Sequence, residues 1–440
     1  MTALRVIVLI ATLAPVPAQA AGVDWSERVE LASGEAHQGP WRMNRSDFRW
    51  VDDPTVTIDD AGGIAVAWVD QSRKDILFQS YSPDGKARFE KPVNVSRTPQ
   101  VFSWLPKMVV PPGDPERVYV LWQEIVFSGG THGGEIFFAR STDGGRTFHD
   151  PVNLSNSIAG DGKGRLTRRH WHNGSLDLAL GPMGTLHAVW TEYEGTLWAS
   201  RSFDGGKTFS KPVRIAGGGT PARGPSLAIA ADHTVHVAWA VGEDPSADVH
   251  VATSKDAGRS FGRPRRVFES AGHADAPKIT VDGNGTMHLV YAESPTGPFE
   301  EYQVVYTRST DGAKTFTKPR VISHPSPKKL GGGAFPSLSL DGKGHLYVLW
   351  EVFPERNARP SGLAFTMSTN AGRTFAPASS VPGAADPSLG HNGSRQGLLM
   401  KKLAVNAKGA IAVVNSTFKS REKSRIWLFR GSLSRSSSRP

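Results

Sequence analysis

An all-β propeller of four-stranded blades is the fold this sequence predicts, and three observations predict it. Six segments of one pattern recur along the chain at intervals of 52 to 61 residues. Each follows a strand-like run that ends in an aromatic residue. The last unit lacks one strand, which the N-terminus can supply. A repeat of this length, built of strands between turns, marks a radial β array.

The recurring segments begin at Ser82, Ser141, Ser202, Ser254, Ser309 and Ser368 and end at Phe89, Phe148, Phe209, Phe261, Phe316 and Phe375, as in Ser141-Thr-Asp-Gly-Gly-Arg-Thr-Phe148. Their chemistry is that of a hairpin turn: Asp accepts backbone N–H bonds, Gly takes positive φ, and the final Phe packs beneath. The runs before them are Ile64–Trp68, Val118–Trp122, Leu186–Trp190, Val235–Trp239, Met287–Tyr291 and Leu346–Trp350. Each follows a shorter strand and a Gly- or Asp-containing turn, so each unit reads as four strands. A seventh copy, Leu403–Val414 followed by Arg425–Phe429, has three strands and no turn segment. Trp25–Ser33 matches the fourth strands Phe209–Ala216 and Phe316–Ser323, so pairing it with the final blade closes the ring and removes the exposed edges. The aromatic positions recur about every 58 residues, which predicts seven blades; six blades with an appended seventh copy is the alternative.

Glycine and proline, 47 and 31 of 440 residues, are close to 18% of the chain against a usual share of about 12%. That excess suits a chain of frequent turns. The absence of cysteine excludes disulfides, thiol catalysis and thiolate metal sites. Residues 1–20 read as a secretory signal, with Arg5, the apolar run Val6–Leu13 and the small-residue site Ala18-Gln19-Ala20. The division expected is therefore a signal over 1–20, one propeller over 21–430, and a disordered Ser/Arg-rich tail over 431–440, in an exported protein that is periplasmic or secreted. No other stretch approaches 18 apolar residues, so no integral membrane segment is expected. Of the net charge of +10, residues 417–440 hold +6 and Arg5 one more. The remaining +3 on residues 21–416 argues against a nucleic-acid partner.

The Ser-x-Asp-x-Gly-x-x-aromatic segments resemble the Asp boxes, or BNR repeats, of the sialidase superfamily, and the resemblance covers the chain up to about residue 430. It implies that the boxes lie between third and fourth strands, on the side away from the active site. Related propellers include sialidases, other glycosidases, sugar-binding modules and assembly factors, and fold alone does not choose among them.

The opposite face, where blade-to-blade connections meet second-to-third-strand loops, is rich in Arg, carboxylates and Trp. Guanidinium forks bind carboxylates bidentately and indoles stack on sugar rings, which fits a polar, acidic sugar. By resemblance, sialidases bind the substrate carboxylate with three arginines and use an Asp acid/base and a Tyr nucleophile activated by Glu. Their first arginine lies in a Phe/Tyr-Arg-Ile-Pro motif; here Phe48-Arg49-Trp50-Val51 stands in that place, with the proline displaced to Pro54. The resemblance thus implies Arg49, with Arg169, Arg223 and Arg395 as candidates for the other two positions. It implies Asp52 or Asp53 as the acid and Tyr193 with Glu192 or Glu194 as the nucleophile pair. Trp50, Trp104, Trp171 and His172 are expected sugar-binding surfaces. The carboxylates recurring just past the strand aromatics, Asp70, Glu124, Glu293 and Glu351, have a structural alternative as strand-end caps.

Histidines offer another constellation. His170, His172 and His391, with His132 and His273, could converge on an axial metal, since neutral imidazole binds Zn, Cu or Ni. His187, His236 and His288 stand three residues before the strand aromatic and read as structural. No P-loop, dinucleotide-binding glycine pattern, HExxH or Gly-x-Ser-x-Gly elbow is present. The leading expectation is a monomeric, cofactor-free, sialidase-like glycoside hydrolase acting on terminal sugars. The alternatives are a non-catalytic propeller that binds carbohydrate or protein, and a periplasmic metal-dependent accessory protein.

Overall fold

The computed structural model describes residues 22–434, apart from 127–133, 158–162, 167–170, 174, 193–194, 218–219, 243–246, 271, 296, 298–301, 324–331, 356–357 and 394–399. Of residues 163–166 and 171–173 it describes the backbone alone. Seven antiparallel blades of four strands form a ring, a β-propeller. Their innermost strands are Val51–Ile58, Ser103–Val109, Leu176–Leu180, Ala222–Ile229, His273–Val281, Gly333–Leu340 and Leu403–Val405. Seven blades, and not six with an appendage, is the arrangement.

The N-terminal closure is present. Val29–Glu35 pairs with Lys423–Leu428 of the last strand, and Val23–Trp25 pairs with Gly431–Leu433 of the same strand. That strand, Lys423–Leu433, is the third of blade seven, so the chain's start supplies the fourth. The expected tail boundary at 431 is corrected accordingly: Gly431–Leu433 belong to the sheet, because the N-terminal strand gives their backbone groups partners. Arg28 pins the seam by donating to Gly383 O at 2.6 Å and pairing with Asp386 at 2.9 Å.

Each turn segment sits between the third and fourth strand of its blade. In five of them the Ser hydroxyl donates to the Asp or Asn oxygen two residues on at 2.7–2.9 Å. The Ser hydroxyl oxygen in turn accepts the N–H four residues beyond the Ser at 2.8–3.0 Å. In blade three, the Thr208 hydroxyl and N–H hold the Asp204 carboxyl well below the ordinary range. The Phe that ends the segment reaches into the neighbouring blade: Phe148 meets Phe78 at 5.5 Å between ring centroids, Phe209 meets Phe138 at 4.8 Å, and Phe375 meets Tyr306 at 4.9 Å. The turn glycine is required by that approach. At Gly145, φ is +86° and an added Cβ would lie 2.0 Å from the Phe78 ring.

The strand aromatics Trp68, Trp122, Trp190, Trp239, Tyr291 and Trp350 are all buried. Five inner strands carry a β-bulge, at Asp53-Pro54, Leu105-Pro106, Gly224-Pro225, Ala276-Pro277 and Phe335-Pro336, whose first residue has φ between +49° and +56°. A bulge bends the strand and re-aims the side chain before it. Asp52, Trp104, Arg223, Asp275 and Ala334 hold that position.

Two tests follow from the ring. Deleting residues 22–35 strips blade seven of its fourth strand, and the unfolding midpoint in scanning calorimetry should fall by roughly 10 °C or more. Gly145→Ala, which forces a side chain onto Phe78 at positive φ, should cost about 1–3 kcal/mol in denaturant unfolding.

Candidate functional site

The ends of the inner strands that carry the bulges lie on the face opposite the Ser-x-Asp turns, and the chemistry there collects in separate clusters. The first is at the rim. Arg49 lies on a short hairpin, His37–Gln38 with Phe48–Arg49, between the closing strand and blade one. Its guanidinium forks onto Asp47 at 2.9 and 3.0 Å and reaches Glu35 at 3.1 Å, with 46% of the side chain exposed. Arg49, with help from His37, holds the Asp47 carboxyl below its usual range. This arginine is already committed to two carboxylates.

Beneath the hairpin is an aromatic roof. Trp50 is 5% exposed, packs on Phe48 at 4.6 Å and Phe418 at 5.8 Å, and donates its indole N–H to Asp52 at 2.8 Å. Gln71 donates to the other Asp52 oxygen at 3.0 Å. Trp50 was expected to be a sugar platform; its burial makes it a wall that positions Asp52 instead. Trp104, half-buried, meets Trp41 at 5.4 Å and Phe102 at 5.5 Å, and Trp41 leaves 46% of its surface to solvent. Asp53 is buried at the bulge with φ +49°.

The third cluster lies between blades four and five. Arg223 Nη2 is 3.0 Å from His273 Nε2, and Arg223 Nε is 3.6 Å from Asp275 Oδ1. Because a guanidinium can only donate, His273 Nε2 accepts, which puts the imidazole proton on Nδ1. That Nδ1 is buried and has no hydrogen-bond partner among the described residues. Burial alone would raise the Asp275 carboxyl, but the Arg223 guanidinium, with the Ala276 N–H, holds it far below the ordinary range. The result is a buried cation whose counterion is fixed on one side. The Tyr302 ring stands edge-on to His273 at 6.2 Å.

Arg169, Tyr193, Glu194, Arg395 and His170 lie outside the described residues. The Glu192 N–H donates to Thr196 O and its carbonyl accepts from Gly195 N, both at 2.8 Å. Trp171 and His172 lie on a hairpin, Lys163–Leu166 with Trp171–Asn173, inserted between blades two and three. Its second strand runs close to the inner strand of blade four, which carries Arg223. His391 pairs with Phe418 in blade seven. Among the described residues no group of three or more His, Cys, Asp or Glu comes together to hold a metal ion.

The recurring carboxylates behave as strand-end caps. Asp70 accepts the Ser72 and Arg73 N–H groups. Glu124, fully buried, accepts from Thr98 at 2.7 Å, Trp122 at 2.9 Å and Ser103 at 3.2 Å, while burial pushes its carboxyl up. Glu293 accepts the Ser270 hydroxyl at 2.7 Å. Glu351 pairs with Lys402, which also donates to Asn415 at 2.9 Å. Asn415 occupies the place where the other blades have Trp or Tyr, and it donates on to Asn392 at 3.0 Å. Of the three candidate histidines read as structural, His288 bonds Tyr306 at 2.8 Å and His236 bonds Thr253 at 2.9 Å, and burial lowers His187 and His236 to about 4.

Arg49 stands in the motif, and Arg223, a candidate from its loop position, also stands two residues before the bulge proline, at the same place as Asp52 and Asp275. Lys402 carries no motif. The signal for Lys402 was the missing aromatic at Asn415, which leaves room for a polar network.

Fold and site together define a seven-bladed propeller with a charged axial mouth. No family model and no curated protein matches the chain. Among solved structures it is similar to an ulvan lyase of a polysaccharide lyase family, with TM-score 0.54 at 12% identity over 91% of this chain and 95% of that one. It is similar to a protein of unknown function from Dyadobacter fermentans, with TM-score 0.50 at 14% identity over 92% and 99%. A Hadza microbial sialidase gives TM-score 0.47 at 14% identity over 72% of this chain and 65% of its own length. At such identities the likeness establishes the fold and leaves the chemistry to the residues.

Removing one partner of the buried Glu351–Lys402 pair strands a charge, so Glu351→Ala should cost about 3–5 kcal/mol. The double variant Glu351→Leu with Lys402→Met should recover most of it in the same denaturant titration.

Proposed function

We propose that this chain is an exported glycan-active protein, a sialidase-like glycoside hydrolase that takes an acidic terminal sugar at the mouth beside Arg223. The observation that carries the reading is the Arg223–His273–Asp275 cluster. A guanidinium oriented on one side by a fixed carboxylate is rigid, and its remaining N–H groups suit a second, incoming carboxylate. Arg169 and Arg395 are the arginines we assign beside it, and Trp104, Trp171 and His172 the surfaces for the sugar ring.

In this reading Tyr193, deprotonated by Glu192 or Glu194, attacks the anomeric carbon while Asp53 or Asp52 protonates the leaving oxygen. Water then releases the sugar from the tyrosine. Arg49, tied to Asp47 and Glu35, serves the rim. That commitment favours a second reading, a non-catalytic propeller that binds acidic glycans on the same face.

Turnover by the purified mature chain, across fluorogenic sialosides, other glycosides and uronate-containing polymers, decides between them. The uronate polymers belong in the panel because the similar ulvan lyase was solved bound to a glucuronate–sulfated rhamnose chain. Hydrolysis of an acidic glycoside, lost on Tyr193→Phe and weakened about 10- to 100-fold by Arg223→Lys with the melting temperature kept, is the expected result. No turnover on any substrate, with glycan binding that Arg223→Lys weakens, makes the protein a binding module. Binding and turnover that ignore Arg223 remove the assignment altogether.

A further inference from the structure

Further along the inner strands, past the bulges and toward the first-to-second-strand turns, the ring encloses a cavity of about 420 Å³. One register position of each blade from two to six faces it. Lys107, Asp177, Ser226, Lys278 and Ser337 each pair across the blade with the residue just before the strand aromatic, and Lys401 of blade seven joins them in lining the space. The volume falls within the roughly 300–1,000 Å³ of small-ligand pockets.

The charge there is lopsided. Three lysines share the space with one carboxylate, Asp177, which also accepts Leu178 N–H at 3.0 Å and Leu227 N–H at 2.9 Å. The Ser226 and Ser337 oxygens accept the Ile279 and Lys402 N–H groups at 3.1 and 3.2 Å, which leaves each hydroxyl proton to donate. Lys107 is only 3% exposed. Burial, Lys278 and Lys401 oppose its charge while Asp177 and Asp53 favour it, and the outcome is a side chain pulled down to about 7. Lys278 is pushed down in turn by burial and by Lys401, against Asp177 and Asp275. Buried like charges are costly, and well-packed apolar residues would be the stabler filling.

We propose that this axial cavity binds a tetrahedral oxyanion, sulfate or phosphate, held by the Lys107, Lys278 and Lys401 ammoniums with hydrogen bonds from Ser226 and Ser337. A doubly charged acceptor offsets the mutual repulsion of the lysines, and a tetrahedron of oxygens can take several donors converging from different blades. The site lies on the far side of the bulges from the Arg223 cluster and does not depend on the glycosidase reading.

Titration calorimetry of the full mature chain with sodium sulfate and sodium phosphate, at fixed ionic strength, tests it. A single saturable site is expected, weakened about 10-fold or more in Lys107→Met and in Lys401→Met. Binding should also weaken between pH 6 and pH 9, as Lys107 loses its proton among Lys278, Lys401, Asp177 and Asp53. Both variants should fold with a melting temperature no lower than wild type in the absence of anion, since each removes one of three mutually repelling charges. A sulfated monosaccharide run in parallel separates the sources: saturable binding of the sugar alone, lost in Lys107→Met, assigns the site to a sulfate ester. No saturable binding of any of the three, or equal affinity in wild type and both variants, overturns the proposal.

Discussion

The structure depends on the packing of each blade against the next, and on that packing closing without a gap. Seven apolar clusters bridge seven neighbouring pairs: blades one and two through Phe78, Met108 and Trp122, and so around to blades seven and one through Val66, Trp68, Val414 and Leu428. A blade is a small sheet with two apolar faces and cannot bury either alone. Closing the ring is what buries both. The last interface forms because Val29–Glu35 covers the open edge of Lys423–Leu433, which is why a strand from the start of the chain is placed at its end.

That constraint explains the turns as well as the strands. The Ser-x-Asp segments are polar on their outer side, but their packing residues answer to the adjacent blade, as Phe148 and Gly145 do to Phe78. The repeat is therefore conserved within the chain for assembly. The opposite face is released from that duty, and there the bulges re-aim one residue in each of five blades. Aspartate, arginine and alanine all appear at that position, so the scaffold tolerates chemical variety where it does not need packing.

Much of the scaffold was legible in the residues. The turn segments, the strand aromatics and the orphan strand near Trp25 carried the blade count and the closure, because each has local chemistry repeated in phase. The site was less legible. Arg49 stood in the expected motif, yet Asp47 two residues away takes its guanidinium. Trp50 looked like a free indole and is a buried wall. His273 and Asp275 were visible as polar residues before blade five, but nothing local says that they meet Arg223, fifty residues earlier. The Gly431–Leu433 stretch looked like the start of a tail because its partner strand lies at the other end of the chain.

What the sequence alone determined is the propeller: seven copies of one hairpin-rich unit, closed by the N-terminus, each signalled by turn and strand chemistry that acts within a few residues. What the tertiary structure alone decided is which polar groups share a space. Lys107, Asp177, Lys278 and Lys401 come from four blades, and Arg223 and His273 from two; the curvature of the closed ring brings them together. Local pattern records a strand's period, whereas convergence on an axis depends on the angle between blades, which is set by packing summed around the whole ring.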